Sequence, residues 1–489
     1  MITNKPGQSD SNMNNGFQFI NGMPSLFPVF ERDENGNIVQ DTSIGGNKYD
    51  YGMNAGYSRP FAAGINPAGA LLLDKDEIKT HQFNGNASFE ARFLKHFKAT
   101  ANVGLQYYGQ AENELTNPYY GDSAGKGQIV KTQVNYLNFT ANQILSWTQS
   151  FGRNNFEAFV AHESTNSTTN VSYGAKSKMV RPDNTEWSNA VIMDYMESYT
   201  YGYAIESYFG QLRYDWDNKY FIHGTLRADG SSRFAKGHKW GTFGSIGTAW
   251  AITNEEFMKD IDWLDDLKIR GGWGQTGNQS GLSDYAYLQR YSINRIPWFE
   301  EGNSNALPTI TQSNLRTSDL KWETTSQTNI GIDFTVLHNR LNITMDYYYK
   351  RTTDMLMNVT LPSGAAAANT IARNEGVMTN RGFELAINSK NFVGAFEWDT
   401  DFNISFNKNR LEELSLQKVY YDAKTSEQVS EYAVRNEPGR ALGGFYGYVS
   451  DGVNPETGEL MYRDLNGDGV ITSSDRTYIG DPNPLSLLV

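Results

Sequence analysis

Asp464, Asn466, Asp468 and Asp475 set oxygen-bearing side chains at positions 1, 3, 5 and 12 of one stretch, with Gly469 at position 6 and Ile471 at position 8. That is the spacing from which a calcium loop draws its ligands. Ca²⁺ takes six to eight hard oxygens at about 2.3–2.6 Å. Side chains at i, i+2 and i+4 can all be turned inward by a tight loop. Gly469 permits the bend that follows, the carbonyl of Val470 offers a further ligand, and Ile471 anchors the loop to neighbouring strands. Aspartate stands where a longer glutamate is usual, so Asp475 closes the site with shorter reach and leaves room for water. Such a site would order the 462–480 segment and do no catalysis. The competing reading is an Asn/Gly-rich turn that needs no metal.

No catalytic arrangement accompanies it. The six histidines are scattered and form no HExxH, and there is neither a GxSxG elbow nor a P-loop. The adjacent pairs Glu255-Glu256 and Asp265-Asp266 would point to opposite faces of a strand and read as solvated surface. The glycines of GGWGQTGNQSG (271–281) do not follow phosphate-loop spacing, and sheet curvature accounts for them better. Asp229, Arg233 and the serines of RADGSSRF (227–234) read as a polar strand-to-loop transition. Lys219, His223, Arg227, Glu397, Asp399 and Asp401 fall on polar faces, where they solvate a wall or touch a ligand. Tyr285, Tyr287, Tyr291, Trp298 and Phe299 form an aromatic set able to stack on sugar rings or to pack within their own loop.

Composition narrows the class. A formal net charge of −13 over 489 residues argues against a nucleic-acid partner. Cysteine is absent, which excludes disulfides and thiolate metal sites. Aromatics make up 13% of the chain, with 29 tyrosines and 10 tryptophans, a composition suited to membrane-interface girdles or carbohydrate-binding surfaces. No run of eighteen apolar residues offers a transmembrane helix. A transmembrane strand needs only about ten alternating residues, so a membrane is not excluded. The first residues, MITNKPGQSDSNMNNG, lack the apolar core of a signal peptide.

The elements that must position these residues are strands. From Tyr220 to Ala228, Tyr220, Ile222, Gly224, Leu226 and Ala228 share one face, while His223, Thr225 and Arg227 share the other. The same alternation runs through 83–93 and 97–107 around the turn Leu94-Lys95-His96. It recurs in 131–149 with 155–165, 201–216 with 219–229, 326–336 with 341–350, and 381–390 with 395–407. Each strand is about twice the typical globular length. Polar stretches at 109–130, 166–198, 278–320, 352–375 and 408–440 read as loops, and 1–82 as a long loop with one or two short strands. Residues 251–266 hold a helical turn or two, capped by Thr253 or Asn254. Short turns alternating with long loops are expected of an outer-membrane barrel, with the turns toward the periplasm and the loops outside. A soluble β protein that binds glycans with a calcium-stabilised loop satisfies the same alternation, with its apolar face turned inward.

The run from YFG (208–210) through RADGSSRF, WGTFGSIGTAWAITNEEF and LKIRGGWGQTGNQ resembles the barrel of SusC/RagA-type TonB-dependent outer-membrane transporters. LKWETTSQTNIGIDF (320–334), RLNITMDYYYKRTTDML (340–356), NEGVMTNRGFEL (374–385) and YRDLNGDGVITSSDRTYIGDPNP (462–484) are similar to later parts of the same barrel. The resemblance implies an all-β, antiparallel transmembrane β-barrel, of whose about 22 strands about 14–16 are present. On this reading residues 1–489 are a partial barrel without plug, N-terminal domain or last strands, and 462–480 lie in an extracellular loop. It further implies residence in the outer membrane of a Gram-negative, Bacteroidetes-like cell and contact with outer-membrane lipid. Uptake of oligosaccharides or peptides would be energised by TonB through the plug and assisted by a SusD-like surface lipoprotein. No enzymatic step and no cofactor other than calcium is implied.

Overall fold

Fourteen strands form one antiparallel sheet in the computed structural model, and their order across the sheet is their order in the chain. The structure describes the chain apart from residues 1, 5–26, 55–56, 59–63, 65, 121–122, 300–305, 363–369, 417, 425–430, 481, 483–484 and 489. In sheet order the strands are Ile2–Asn4, Lys75–Phe93, Phe97–Thr116, Gln128–Phe151, Asn154–Met179, Ala190–Trp216, Tyr220–Ser231, Trp240–Ala251, Leu264–Asn278, Glu323–Val336, Leu341–Thr353, Val377–Phe392, Trp398–Glu413 and Leu485–Leu488.

Connections alternate in length. Residues 94–96, 152–153, 217–219, 337–340 and 393–397 are tight, whereas 117–127, 180–189, 232–239, 279–322, 354–376 and 414–484 are longer. One turn departs from the pattern: 252–263 carries two 3-10 turns, Ile252–Asn254 and Glu256–Met258. The tight turns owe their geometry to left-handed backbone. Asp217 and Asn218 take φ 55 and 54, the pair of positive angles that lets a two-residue turn follow the strand twist. Leu94 and Lys95 do the same at φ 49 and 61 without the usual Asn or Gly.

Three expectations from the sequence need correction. Most of 109–130 and 166–198 is strand, because Phe97–Thr116, Gln128–Phe151, Asn154–Met179 and Ala190–Trp216 run for 20, 24, 26 and 27 residues. The alternation fades there because both faces are polar, as in STNSTTN (164–170), although the strand continues. Residues 1–82 include a seven-residue α-helix, Pro67–Leu73, and the start of the Lys75–Phe93 strand. Neither Thr253 nor Asn254 caps a helical turn. The capping positions are Ala251 and Glu255, while the Thr253 hydroxyl donates to Asp266 at 3.1 Å.

The chain divides into two units, residues 1–87, 102–141 and 165–203 in one, and 88–101, 142–164 and 204–489 in the other. In the first, Leu115, Ile129 and Ala175 are buried and Tyr51 stacks on Tyr120 at 4.4 Å. The Asp74 carboxylate accepts from the backbone N–H and the side-chain amide of Asn117 at 2.8 and 2.6 Å. In the second lies a core of Phe234, Phe243, Leu282, Ala286, Leu320, Trp322 and Ala372, with Tyr287 and Leu356 against it. These residues come from the long connections and the strand ends beside them. Phe234 and Phe243 both pack on Trp322, with ring centroids 5.2 and 5.8 Å away. Gly277 and Gly241 make the seat of Phe243, since a Cβ on either would stand 2.1 or 2.6 Å from its Cζ. Part of the glycine-rich 271–281 stretch therefore serves close packing.

Candidate functional site: two faces of a wall and an inserted sheet

Strand register lines the apolar side chains up across the sheet. Tyr220, Trp250, Ile269, Ile332, Met345, Leu385 and Ile404 stand opposite one another in succession across seven strands. Phe334, Ile343, Ile387 and Phe402 form a parallel row. Among the described residues no core covers them: Phe89 is 70% exposed and Leu226 63%, and Phe93, Ile222 and Trp398 are exposed too, with Phe402 half-buried. A soluble β protein would need these residues in a closed core.

Aromatic residues mark both ends of this apolar face. At the short-turn end Tyr220 lies between Trp216 and Trp250, with centroids 5.7 and 6.0 Å away. The Tyr220 hydroxyl and the Trp250 indole donate to Glu255 at 2.6 and 3.2 Å, and Lys219 pairs with the same carboxylate at 3.0 Å. Hydrogen bonds from Tyr220 and Lys219 hold the Glu255 carboxyl below the usual carboxylate range. At the other end Trp240, opposite Gly230, packs on Tyr208 at 6.1 Å. Gly230 lies ten positions along the strand from Tyr220. At about 3.3 Å per residue and a tilt of about 40° this spans about 25 Å, the height of the apolar band of an outer-membrane barrel.

The opposite face is polar and densely paired. Arg227 donates to Asp229, Ser207 and Glu163 at 2.6, 2.9 and 3.2 Å, and its guanidinium lies over Phe209. Arg270 reaches Asp333 at 3.1 Å and Asp346 at 2.6 Å. It crosses Gly331 to do so, where a Cβ would come within 2.6 Å of the guanidinium and of the Asp346 carboxylate. Beside this network a cavity of about 650 Å³ opens over Gly247, Gly272 and Gly274, with His223, Lys268 and Gln327 on its walls. Its floor is glycine because the His223 ring lies across Gly247, 2.3 Å from where a Cβ would stand.

The remaining sequence candidates separate by position. RADGSSRF is a structural knot: Asp229 and Ser231 are buried, Arg233 pairs with Asp284 at 2.8 Å, and Phe234 is fully buried. Lys219 sits in the 217–219 turn, and Asp399 and Asp401 lie on the Trp398–Glu413 strand with Glu397 just before it. Among the loop aromatics Tyr287 packs on the core, whereas Tyr285 and Tyr291 are exposed. The side chains of Trp298 and Phe299 lie outside the described residues.

The acidic loop is closed by its own hydrogen bonds. Asp464 accepts from the N–H groups of Gly467 and Gly469 at 2.6 and 2.7 Å, Asn466 from that of Asp468 at 2.9 Å, and Asp468 from that of Val470 at 2.8 Å. Asp475 is buried and accepts from Leu465 and Thr472 at 2.9 and 2.8 Å. The Thr472 N–H above all holds its carboxyl below the ordinary range. Among the described residues no three acidic or histidine side chains gather closely enough to hold a metal ion.

This loop belongs to a larger insertion that the sequence reading missed. Between Trp398–Glu413 and Leu485–Leu488 lies a four-stranded sheet, Tyr420–Lys424, Tyr432–Asn436, Phe445–Gly447 and Thr477–Gly480, with a small hairpin, Ser450–Val453 and Leu460–Tyr462. Arginines and tyrosines interleave on it. The guanidinium carbons of Arg435 and Arg476 lie 4.8 and 4.9 Å from the Tyr446 ring, and that of Arg440 lies 4.1 Å from the Tyr478 ring. Burial pushes the Tyr478 hydroxyl up to about 12, so it stays neutral. Strands this short carry too little alternation to be seen in sequence. The visible signal was the density of tyrosine.

Comparison with known proteins agrees with this geometry. Residues 27–483 match the family model described as TonB dependent receptor-like, beta-barrel. The chain is similar to the TonB-dependent receptor SusC of Bacteroides thetaiotaomicron, 32% identical over 433 residues, which cover 85% of this chain and 42% of that protein. It is also similar to the TonB-dependent receptor P3 of Formosa agariphila, 29% identical over 84% of this chain and 42% of that one. Among solved structures, that of the RagAB peptide transporter superposes with a TM-score of 0.78 at 22% identity, over 90% of this chain and 48% of the matched one. The chain thus spans a little under half the length of these relatives.

Proposed function

The chain belongs to the TonB-dependent receptor β-barrel family, of SusC/RagA type, and is an outer-membrane protein; from that premise we propose that it is the barrel portion of a nutrient importer. On this reading the apolar rows face lipid and the polar, ion-paired face lines the transport path. Uptake of oligosaccharides or peptides is energised by TonB, a SusD-like lipoprotein covers the long connections from outside, and no covalent bond is made or broken. The observation that carries the reading is the exposed apolar band, about 25 Å tall and edged by aromatics at both ends. The test is uptake of a labelled oligosaccharide and a labelled oligopeptide by cells expressing the intact protein, with and without a working TonB system. Accumulation of either that requires TonB supports the importer. Equal accumulation in both strains overturns it.

The spacing of 464–475 supports a second reading of one loop, a calcium-stabilised turn. The ligands would be Asp464, Asn466, Asp468, Asp475 and the carbonyl of Val470. In favour of it, Asp464, Asn466 and Asp468 all turn their side-chain oxygens onto the backbone of the same short loop, and each Asp464 and Asp468 oxygen accepts one hydrogen bond and keeps a lone pair. Against wild type, Asp468→Ala should raise proteolysis of 462–480 in calcium and change little in chelator. Identical cleavage of both proteins in both buffers leaves the metal-free turn.

A further inference from the structure

A cleft of about 710 Å³ opens on the inserted sheet, walled by Tyr432, Phe445, Tyr448 and Tyr462. Phe445 is 50% exposed and Tyr462 42%, and Tyr432 is exposed as well. Tyr448 and Tyr462 stand with centroids 5.6 Å apart and planes 55° from parallel, so they form a corner rather than a closed stack. Tyr432 also has the Tyr421 ring 5.8 Å away, and a charged pair borders the cleft, with the Arg476 guanidinium carbon 6.0 Å over the Tyr448 ring. Arg476 binds Glu431 at 2.7 Å and also donates to the backbone carbonyls of Tyr432 and Tyr446, so its guanidinium is fixed in place. The Glu431 side chain stays half-exposed.

Two kinds of surface therefore meet. The exposed parts of Tyr432, Phe445 and Tyr462 are matched by a flat ligand whose own faces are apolar C–H groups. The half-exposed Glu431 carboxylate, held in place by Arg476, is matched by hydroxyls, which donate to it. A pyranose ring has both properties, with axial C–H groups above and below and hydroxyls around the rim. An extended peptide is the poorer fit. It would dock by pairing with a free strand edge, whereas aromatic rings line this cleft and bare backbone is presented only at Gly447 and Gly480.

We infer that this cleft is a sugar-stacking site, in which the tyrosine corner takes the face of a pyranose ring and the Glu431 carboxylate, held by Arg476, takes its hydroxyls. The inference rests on the importer reading only for the source of the ligand, an oligosaccharide reaching the long connection 414–484. Gly480 leaves space for the Phe445 ring, because a Cβ there would stand 3.0 Å from the Phe445 Cδ2. Asp475 acts as a positioning residue. It ties the 464–472 loop to the turn from which Arg476 enters the cleft.

The test uses the intact protein in detergent micelles, titrated by calorimetry with maltohexaose, cellohexaose and mannohexaose, and with a neutral hexapeptide as control. At least one saccharide should bind. Tyr432→Ala and Tyr462→Ala should each weaken it by about three- to tenfold, the range of one aromatic contact. Tyr462→Phe, which keeps the ring, should bind within about twofold of wild type. Tyr462 is on the surface of a small hairpin, so its variants report on the contact rather than on folding. Saccharide affinity unchanged in both alanine variants, no saccharide binding to wild type, or binding of the peptide alone would each overturn the inference. Uptake that needs TonB in the Tyr462→Ala strain would keep the importer reading standing whichever way the cleft is decided.

Discussion

Leu226 and Phe234 are eight residues apart and are treated in opposite ways. Leu226 stands on the open apolar face of the sheet, while Phe234 is sealed in the small core made by the long connections. Both are large and apolar, so the difference is in what surrounds them. The wall turns its apolar side chains toward an external apolar solvent, and backbone ladders together with the ion pairs on its polar face hold it together. The loop core does what a globular protein does, removing side chains from water by packing them on one another. The hydrophobic pattern of the wall is addressed to lipid and that of the loops to protein.

The comparison can be broken first at the core. Phe234→Ala should destabilise the connections by about 3–5 kcal/mol, the cost of emptying a filled aromatic site. Faster proteolysis of 232–239 and 279–322, with the rest of the sheet intact, is the expected readout. A uniform loss across the whole chain would mean that core and wall are one cooperative unit. Next is the wall itself. Leu226→Arg should cost about 2–4 kcal/mol in folding into lipid vesicles, as expected near the bilayer midplane. Thr225→Arg, one residue away on the polar face, should cost much less. Equal costs would remove the distinction between faces.

A smaller effect separates the inserted sheet from both. The Asp475 carboxyl is held below its ordinary value, first by the Thr472 N–H and then by those of Leu465 and Asn466. A depressed folded pKa contributes stability above the unfolded value of about 3.9 and loses it as pH falls through the folded value. The 462–480 segment should therefore resist proteolysis at about pH 5 and lose that protection only as pH falls from about 3.9 down through the lower folded value. Asp475→Asn should be sensitive throughout. A wild-type segment equally protected over that whole range would show that this carboxylate does not hold the loop.

These contrasts also explain how much could be read from the chain alone. Alternation between Tyr220 and Ala228 and the Asp217-Asn218 turn were legible because a wall between lipid and water enforces period two and because a tight turn needs φ > 0. Past the band the same strands continue with polar side chains on both faces, so a stretch such as STNSTTN (164–170) looks like loop. The ion pairs of Arg227 and Arg270 join strands distant in sequence, and only the register brings them together. The acidic spacing of 464–475 was visible, whereas the aromatics of the cleft come from 432, 445–448 and 462 and are assembled by three short strands with no periodic signature.

The central claim is that alternate residues of the wall face lipid. The chain contains no cysteine, so single cysteines from 221 to 228 can carry a nitroxide label without background. In the intact protein reconstituted into vesicles, collision rates with oxygen, which concentrates in lipid, should peak at 222, 224, 226 and 228. Rates with a water-soluble nickel chelate should favour 221, 223, 225 and 227. A two-residue oscillation of opposite phase for the two probes is the predicted result. Low rates with both probes at 222 and 226, as in a packed protein core, would contradict the account.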